Sequence, residues 1–210
     1  MIKRIIASIV FLMLTNGLAA QTSEKAWNFD ADKQSGIPEG FTAVRGDWKI
    51  IVDPDAPSRP SVLAQLAKNS GSMFNLILVS GTNSQNVDIS VKMKAVAGKE
   101  DQGGGLVWRA MDSNNYYVVR YNPLEDNYRL YKVEQERRIQ LQHADIKHSD
   151  GWHTLRVKME GDHILCYYDG GKYLDVKDST FQAAGNIGLW TKADAQSHFD
   201  DLTMAANKGL

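Results

Sequence analysis

Residues 86–94 read NVDISVKMK, a run in which apolar and polar side chains alternate. The apolar members of the run are Val87, Ile89, Val91 and Met93. A period of two residues is that of a β-strand, because successive side chains of a strand point to opposite faces of the sheet. One face here is apolar and the other is polar, which is typical of a half-buried strand in an antiparallel sheet. This stretch therefore predicts such a strand.

The same alternation recurs on both sides of this stretch, with turn residues between the segments. Residues 150–160 read DGWHTLRVKME, and residues 164–176 place Asp169-Gly170, a tight-turn pair, between two strand-like runs. Further strands are predicted at 48–52, 73–79, 105–111, 116–121, 128–133, 138–141, 187–191 and 199–204. About a dozen short strands without a long helical apolar stripe predict an all-β protein, either an antiparallel two-sheet β-sandwich or a barrel.

Three segments do not show a clear strand pattern: two are predicted loops, and the third fits more than one element. Residues 53–60 contain Pro54, Pro57 and Pro60 and are predicted to be a surface loop, because proline cannot donate a ladder hydrogen bond. Residues 98–105 end in a glycine triplet and are also predicted to be a loop. Residues 61–68 fit a short helix and a strand equally well.

Composition limits the class of protein. The chain has 210 residues, of which 43% are hydrophobic, and 24 Lys and Arg stand against 25 Asp and Glu. These values suit one globular domain and exclude wholesale disorder, collagen and coiled coil. A net charge of −1 argues against a general nucleic-acid binder, which usually has a basic excess. The single cysteine excludes an internal disulfide framework.

The first twenty residues have the pattern of a secretory signal peptide. Lys3 and Arg4 precede the apolar run 5–14, and small residues follow at 15–20. The apolar run is too short to cross about 30 Å of hydrocarbon. We therefore expect cleavage after residue 19 or 20, a single β-sandwich domain over 21–210, and a periplasmic or secreted protein with no membrane segment after cleavage.

Alternation also predicts a ligand-binding face. If 105–110 and 116–121 pair, Arg109 and Arg120 share one face, and Trp190, Lys192 and Tyr128 from neighbouring strands join them. Sugar recognition uses flat aromatic rings against C–H surfaces and planar donors such as arginine against hydroxyls. This set therefore predicts binding of a glycan.

Polar residues at the rim complete the predicted ligand site. Asn122 and Glu125 lie at a strand end and in the following loop, where they are placed to bond sugar hydroxyls, and Asn115 and Asn127 are further candidates at the rim. The alternative, with Trp108 and Trp190 in the core and both arginines solvated, remains open, because one sequence does not settle which face of a strand is buried.

No catalytic residue is identified from the sequence. Glu134 and Glu136 are the only closely spaced glutamates, and they fall in a predicted hairpin turn, where charged side chains are normally solvated. The five histidines lack a metal-ligand spacing, and no serine lies in a G-x-S-x-G elbow. Cys166 lies in the middle of a predicted strand and is interpreted as a small core residue.

Several motifs occur in a familiar order along the chain. Residues 104–120 read GGLVWRAMDSNNYYVVR, 150–157 read DGWHTLRV and 185–190 read GNIGLW, with WNFD at 27–30 and FDDL at 199–202. This succession resembles the concanavalin A-like lectin/glucanase superfamily, including its laminin-G-like jelly rolls, and spans nearly all of the chain after residue 20. The resemblance implies two curved antiparallel sheets with a concave ligand face.

Within this superfamily the chain is most similar to bacterial exported domains of the 3-keto-disaccharide hydrolase-like group. That group usually carries Arg-Asn in its last strand, where this chain has Asp200-Asp201. Laminarinase-type glycosidases carry their carboxylates in an E-x-D-x-x-E pattern on one strand. No glutamate of this chain begins that pattern.

The resemblance also implies a structural calcium ion. Related jelly rolls often join their first and last strands through one, and Asp30, Asp200 and Asp201 lie in the corresponding motifs of this chain. Calcium takes about six to eight oxygen ligands, and the chain has no EF-hand loop. These three aspartates are therefore the predicted calcium ligands.

We expect an exported, carbohydrate-binding, lectin-like module whose partner is a glycan or oligosaccharide. Two alternatives remain open at this point: a glycoside hydrolase of the 3-keto-disaccharide or glucanase kind, and a non-catalytic periplasmic interaction domain. The hydrolase alternative depends on family resemblance alone.

Overall fold

A computed structural model describes residues 24–205, which form fifteen β-strands and no helix. No membrane-spanning helix of sufficient length and apolarity therefore occurs in that part of the chain. The strands are β1 (Lys25–Trp27), β2 (Phe41–Arg45), β3 (Trp48–Val52), β4 (Ser61–Gln65), β5 (Phe74–Ser84), β6 (Val87–Ala97), β7 (Gly104–Asp112), β8 (Asn115–Asn122), β9 (Asn127–Glu134), β10 (Arg137–Asp145), β11 (Trp152–Glu160), β12 (His163–Tyr168), β13 (Gly171–Lys177), β14 (Gly185–Lys192) and β15 (Gln196–Met204).

The strands form two antiparallel sheets. The eight-stranded sheet has the order β13-β12-β11-β6-β15-β4-β3, with β1 paired to β15. The seven-stranded sheet has the order β10-β9-β8-β7-β14-β5-β2. Chain neighbours such as β4 and β5, or β6 and β7, lie in different sheets, so the chain crosses repeatedly between the two layers. The predicted all-β, two-sheet sandwich is confirmed.

The core lies between the two sheets and follows the alternation. Val87, Ile89, Val91 and Met93 of β6 are at most 3% exposed and pack with the inner side chains of β11, β8 and β14. Cys166 of β12 is a buried free thiol in the same cluster, as predicted. Burial of one face of each sheet accounts for the strict period of two in these strands.

Most predicted strands are present within a few residues of their expected bounds. Residues 61–68, which the sequence left open, form β4 over Ser61–Gln65. The glycine triplet is only partly a loop, because Gly104 and Gly105 belong to β7. Two short strands, β1 and β2, were not predicted, since each has only three to five residues and a mostly exposed pattern.

A buried ionic cluster connects three strands of the eight-stranded sheet. Asp53 directly follows β3 and is 4% exposed. Its Oδ2 pairs with Lys94 Nζ of β6 and lies 2.7 Å from His198 Nδ1 of β15. Burial is the largest influence and lowers the pKa of His198, so at neutral pH the cation that faces Asp53 is Lys94.

This cluster predicts a pH-dependent contribution to stability. Burial opposes ionisation of Asp53, but hydrogen bonds from Lys94 and His198 outweigh it, and the pKa of Asp53 falls from 3.8 to about 2. A depressed carboxyl pKa stabilises the fold above the unfolded value, and this stability is lost as the pH falls from 3.8 through about 2. Asp53→Asn should remove about 2 kcal/mol of this dependence.

Urea unfolding of both proteins between pH 2 and 5 measures this effect. Asp150→Asn makes the same charge change at a side chain that is 99% exposed, and it should leave the pH dependence of unfolding unaltered. Equal pH dependence in the wild type and Asp53→Asn would contradict the assignment.

Candidate functional site

The seven-stranded sheet has a second apolar face, turned away from the core, which we call the open face. A separate cluster of side chains packs on it, with Phe74 and Leu78 at its margin. Its buried members are Leu76, Val107, Ala110, Tyr116, Val118, Tyr131, Val133 and Trp190. An antiparallel sheet on the outside of a sandwich usually turns polar residues to solvent on this side, so this apolar surface is unusual.

Arg138 crosses the open face. It belongs to the edge strand β10, yet its guanidinium carbon lies 4.4 Å from the Tyr131 ring, 5.7 Å from Phe74 and 5.8 Å from Trp190. Phe74 is on β5, five strands away in the sheet order, which is about 24 Å in a flat sheet. The sheet must therefore be strongly curved, and the open face is concave.

A group of charged and amide side chains lies at one end of the open face. We call it the charged cluster. It consists of Asp101, Arg120, Asn122, Glu125, Asn127, Arg129 and Lys192. The cluster lies where β8 ends and β9 begins, and the loop between them carries Glu125.

Arg120 is the centre of the charged cluster and is only 1% exposed. Its Nη2 donates to Glu125 Oε2 at 2.9 Å, and its Nη1 lies 3.7 Å from Asp101 Oδ1. Glu125 Oε2 also accepts from Asn127 Nδ2 at 3.0 Å and pairs with Arg129 Nη1 at 3.1 Å. One exposed carboxylate oxygen thus serves several donors and leaves other nitrogen atoms of the arginines without an acceptor.

The other carboxylate of the cluster is buried. Asp101 is 2% exposed; its Oδ1 accepts from Asn122 Nδ2 at 3.0 Å, and its Oδ2 is 3.3 Å from Lys192 Nζ. Gly105 of β7 is the register partner of Arg120 on β8 and of Trp190 on β14. Because glycine has no side chain, β7 places no side chain between Arg120 and Trp190. The charged cluster and the aromatic surface are therefore neighbours.

Unpartnered polar atoms concentrate in this region. Eight buried side-chain nitrogen or oxygen atoms of the described residues make no hydrogen bond, and six of them lie in the charged cluster or on Arg138. The six are Asp101 Oδ2, Arg120 Nε, Arg120 Nη1, Asn127 Oδ1, Arg129 Nε and Arg138 Nη1. A buried polar atom without a partner costs about 1–3 kcal/mol, so such a concentration indicates a place where a ligand or water completes the hydrogen bonds.

Ionisation in the site follows from burial and neighbouring charge. Burial alone would raise the pKa of Glu125, but the hydrogen bond from Asn127 and the charge of Arg120 outweigh it, and the pKa is lowered. Burial raises the pKa of Tyr116 to about 12, although Trp190 Nε1 donates to its hydroxyl. Glu125 is therefore an ionised acceptor at neutral pH, and Tyr116 is a neutral hydroxyl.

A cleft lies at the other end of the open face. Its volume is about 220 Å³. It is lined by Val44, Arg45, Phe74, Ser113, Tyr116 and Glu136, among others. The open face thus has an aromatic middle, a charged cluster at one end and a partly polar cleft at the other.

The structure brings together five of the seven residues that the sequence predicted as ligand-binding. Arg120, Asn122, Glu125 and Lys192 are in the charged cluster, and Trp190 lies beside it. Trp190 is fully buried under its neighbours, so it belongs to an apolar cluster and still lies on the open face. Their role in binding stays a prediction.

The predicted position of Arg109 is wrong. The register of β7 against β8 shifts between Trp108 and Asp112, and Arg109 has a φ of 47°. This bulge turns the side chain away from the open face, where it donates to the backbone carbonyls of Gln85, Phe181 and Gly161. Arg109 therefore holds three connecting segments together at the end of the sandwich.

The predicted position of Tyr128 is also wrong. Tyr128 is fully buried in the core between the sheets, and its hydroxyl donates to the carbonyl of Tyr167 at 3.0 Å. The alternation of β9 has the opposite phase to the prediction, so Arg129 and Tyr131 occupy the open face.

Four residues of the site were not identified from the sequence: Asp101, Arg129, Tyr131 and Arg138. A correct phase for β9 would have found Arg129 and Tyr131, because they alternate with core residues. Asp101 lies in a loop, and the position of Arg138 depends on sheet curvature, so alternation carried no signal for either.

The predicted calcium ligands have other partners. Asp200 Oδ2 accepts from the backbone N–H of Ser58 at 2.8 Å, and Asp30 Oδ1 accepts from the N–H of Ser61 at 3.0 Å. Asp201 pairs with Lys92 at 2.9 Å. Within residues 24–205, no group of three or more His, Cys, Asp or Glu residues is arranged to hold a metal ion. The calcium site stays a prediction.

A second polar arrangement lies outside the open face. His153 Nδ1 is 2.8 Å from Asp169 Oδ2, and its Nε2 is 3.2 Å from Ser149 Oγ and 3.1 Å from the Ser149 carbonyl. The imidazole stacks on the Tyr168 ring, and Asp169 Oδ1 accepts from the N–H of Thr154. His153 thus connects the loop before β11 to the turn between β12 and β13.

The bulge residue generates a prediction about stability. Arg109→Ala removes a buried cation and leaves three carbonyl oxygens without their donor, so it should lower the free energy of unfolding by about 3 kcal/mol or more. Denaturant unfolding followed by tryptophan fluorescence measures the loss.

Arg156→Ala is the matched control. Arg156 donates two hydrogen bonds to Asp88, but its side chain is 49% exposed, and its removal should cost about 1 kcal/mol or less. A loss for Arg109→Ala as small as that of the control would show that the three loops do not depend on this guanidinium.

Comparison with known proteins gives similarity in structure only. No protein-family model and no curated protein sequence matches the chain. The carbohydrate-binding module CBM66 from Bacillus subtilis superimposes with a TM-score of 0.68 at 21% identity, over 80% of this chain and 96% of that chain. The β-glucanase from Bacillus licheniformis gives 0.61 at 11% identity, over 90% of this chain and 100% of that chain.

A further match is the GH43 protein BlXynB from Bacillus licheniformis. It has a TM-score of 0.56 at 15% identity and covers 82% of this chain but only 40% of that chain. These proteins share the two-sheet jelly roll, and the GH43 protein is much the longer chain. The chain therefore has the concanavalin A-like jelly-roll fold that the sequence motifs resembled.

Proposed function

We propose that this protein is a carbohydrate-binding, lectin-like module and that its ligand site is the open face. The observation that carries the proposal is the concentration of unpartnered buried donors and acceptors next to aromatic rings on one concave surface. Sugars present hydroxyl groups around their rim and C–H groups on their faces. The hydroxyl groups of such a ligand match the polar part of the site, and its C–H groups can pack on Phe74, the partly buried ring at the margin of the open face.

Both donors and acceptors are available to a sugar. Arg120 and Arg138 offer N–H groups in rigid planes, and Asp101 Oδ2 and Asn127 Oδ1 offer oxygen atoms. A hydroxyl group is donor and acceptor at once, so it satisfies both kinds of atom. The fold also supports the proposal, because one structure with the same fold is described as a carbohydrate-binding module.

The geometry favours binding over glycoside hydrolysis. Hydrolysis needs one carboxyl group that is protonated and acts as general acid beside a second carboxylate. Glu125 has a lowered pKa and is surrounded by donors, which makes it a poor acid at neutral pH. A site that holds its carboxylate ionised by hydrogen bonds is suited to binding hydroxyl groups.

The proposal includes export from the cytoplasm. Residues 1–20 lie outside the described residues, and the signal-peptide pattern in the sequence is what supports export. A module that binds glycans in the periplasm or outside the cell is consistent with that pattern.

Binding of purified protein to a glycan array, followed by calorimetry on the best ligand, tests the proposal. Arg129→Ala and Lys192→Ala change side chains of the charged cluster that are 32% and 20% exposed, so both variants should fold. Each should weaken binding by about tenfold, since a hydrogen bond to a charged group contributes about 1.5–3 kcal/mol. EDTA added to the wild type tests a calcium requirement in the same experiment.

Arg156→Ala serves as the control, because Arg156 is an exposed arginine of the eight-stranded sheet. It should bind with wild-type affinity. Binding that survives both charged-cluster variants would place the site elsewhere on the molecule. Absence of binding across the array, with one protein partner recovered instead, would favour an interaction domain.

Sequencing of the N-terminus tests export separately. Protein recovered from the periplasm or the medium should begin at residue 20 or 21. A mature chain that still begins with Met1 would show that the segment is retained.

A further inference from the structure

Arg138 is a cation without a matching anion. It lies on the rings of Tyr131, Phe74 and Trp190, and no carboxylate of the described residues pairs with it. Its Nη1 is buried and makes no hydrogen bond. The aromatic rings hold the guanidinium in place through their faces but leave its in-plane N–H donors unused.

The surroundings of Arg138 have an excess of positive charge. Arg120, Arg129 and Lys192 share two carboxylates, Asp101 and Glu125. With Arg138 included, four cations face two anions, although the whole chain has a net charge of −1. The open face is therefore locally positive, and burial strengthens the effect because it limits screening by solvent.

The carboxylates already present do not neutralise this excess. Glu125 Oε2 is occupied by Arg120, Arg129 and Asn127, Asp101 Oδ1 by Asn122, and Asp101 Oδ2 lies 3.3 Å from Lys192 Nζ. Arg120 is 1% exposed and pairs with Glu125, but its Nε and Nη1 make no hydrogen bond, and Nη1 is 3.7 Å from Asp101 Oδ1. Buried N–H donors without an acceptor are costly unless a ligand completes them.

We infer that the glycan bound on the open face is anionic and carries a sugar carboxylate, as a uronic acid does, which Arg138 and Arg120 bind. This inference rests on the proposed function and names its ligand class. A planar carboxylate matches the planar fork of a guanidinium and accepts two parallel hydrogen bonds. Asn127 Oδ1, which makes no hydrogen bond, repels a bare anion but accepts from a sugar hydroxyl, which favours an acidic sugar over an inorganic ion.

Calorimetry with matched pairs of oligosaccharides tests the inference. The probes are tetragalacturonate, a tetramer of mannuronate and a hyaluronan tetrasaccharide, each compared with the same molecule after methyl esterification of its carboxylates. Esterification removes the charge and keeps the sugar rings. For at least one pair, the acid form should bind about tenfold or more tightly than the ester, and the difference should shrink at high salt.

Variants of Arg138 locate the carboxylate. Arg138→Gln should reduce the affinity for the acid form by about tenfold or more and bring the ratio of acid-form to ester-form affinity towards one, because the carboxylate loses its guanidinium partner. Arg138→Lys keeps the charge but loses the planar fork, so it should recover only part of the affinity. Arg137→Gln is the control, because Arg137 is exposed and its side chain points to the other side of β10.

The outcomes separate this inference from the proposed function. Binding of neutral or esterified glycans that is lost in Arg129→Ala, without preference for acid forms, would overturn the inference and leave the proposed function in place. Binding of no glycan would overturn both. Equal binding of dextran sulfate or polyglutamate, unaffected by Arg138→Gln, would show non-specific attraction of polyanions and would also overturn the inference.

The ratio of acid-form to ester-form affinity is measured on the wild type, so this part of the test does not depend on the folding of any variant. Thermal melting of each variant establishes that Arg138→Gln retains the aromatic cluster. If Arg138→Gln melts well below the wild type, the ratio of acid-form to ester-form affinity is compared between the wild type and Arg138→Lys, which keeps a positive charge over the rings, and the ratio should fall in the variant.

Discussion

Arg138 touches Phe74 although their strands are five apart in the seven-stranded sheet, and this contact requires the sheet to curve. The curvature has two consequences. It brings aromatic side chains of several strands into one cluster on the outer face, and it leaves that face concave. A flat sheet of the same sequence would spread these rings over solvent, where they would neither bury one another nor form a pocket.

The two most deeply buried arginines of the described residues differ in how many of their N–H groups have an acceptor. Arg109 donates to three backbone carbonyls and is a structural residue. Arg120 is equally buried, yet two of its nitrogen atoms have no acceptor among the described residues. Because burial is the same, the difference lies in hydrogen bonding: Arg109 has all its acceptors within the fold, and Arg120 is the arginine to which the proposed function gives a role in recognition.

The fold could be predicted almost entirely from sequence, and the site only in part. Alternation in β6 and β11 identified half-buried strands, since a period of two carries its information locally. It failed at Arg109, because a bulge inserts an extra residue and reverses the faces beyond it. It also failed at Tyr128, where a phase error of one residue exchanges core and open face.

The sequence by itself determined the class of fold, most of the strands, the core thiol and the presence of arginines and aromatic rings on alternate positions. Only the tertiary structure decided that Asp101 from a loop pairs with Arg120 from a central strand, and that Arg138 from the edge strand reaches aromatic rings of the same face. It also decided which donors are already satisfied. Local patterning depends on burial of one face, whereas charge pairing depends on distances between segments far apart in the chain.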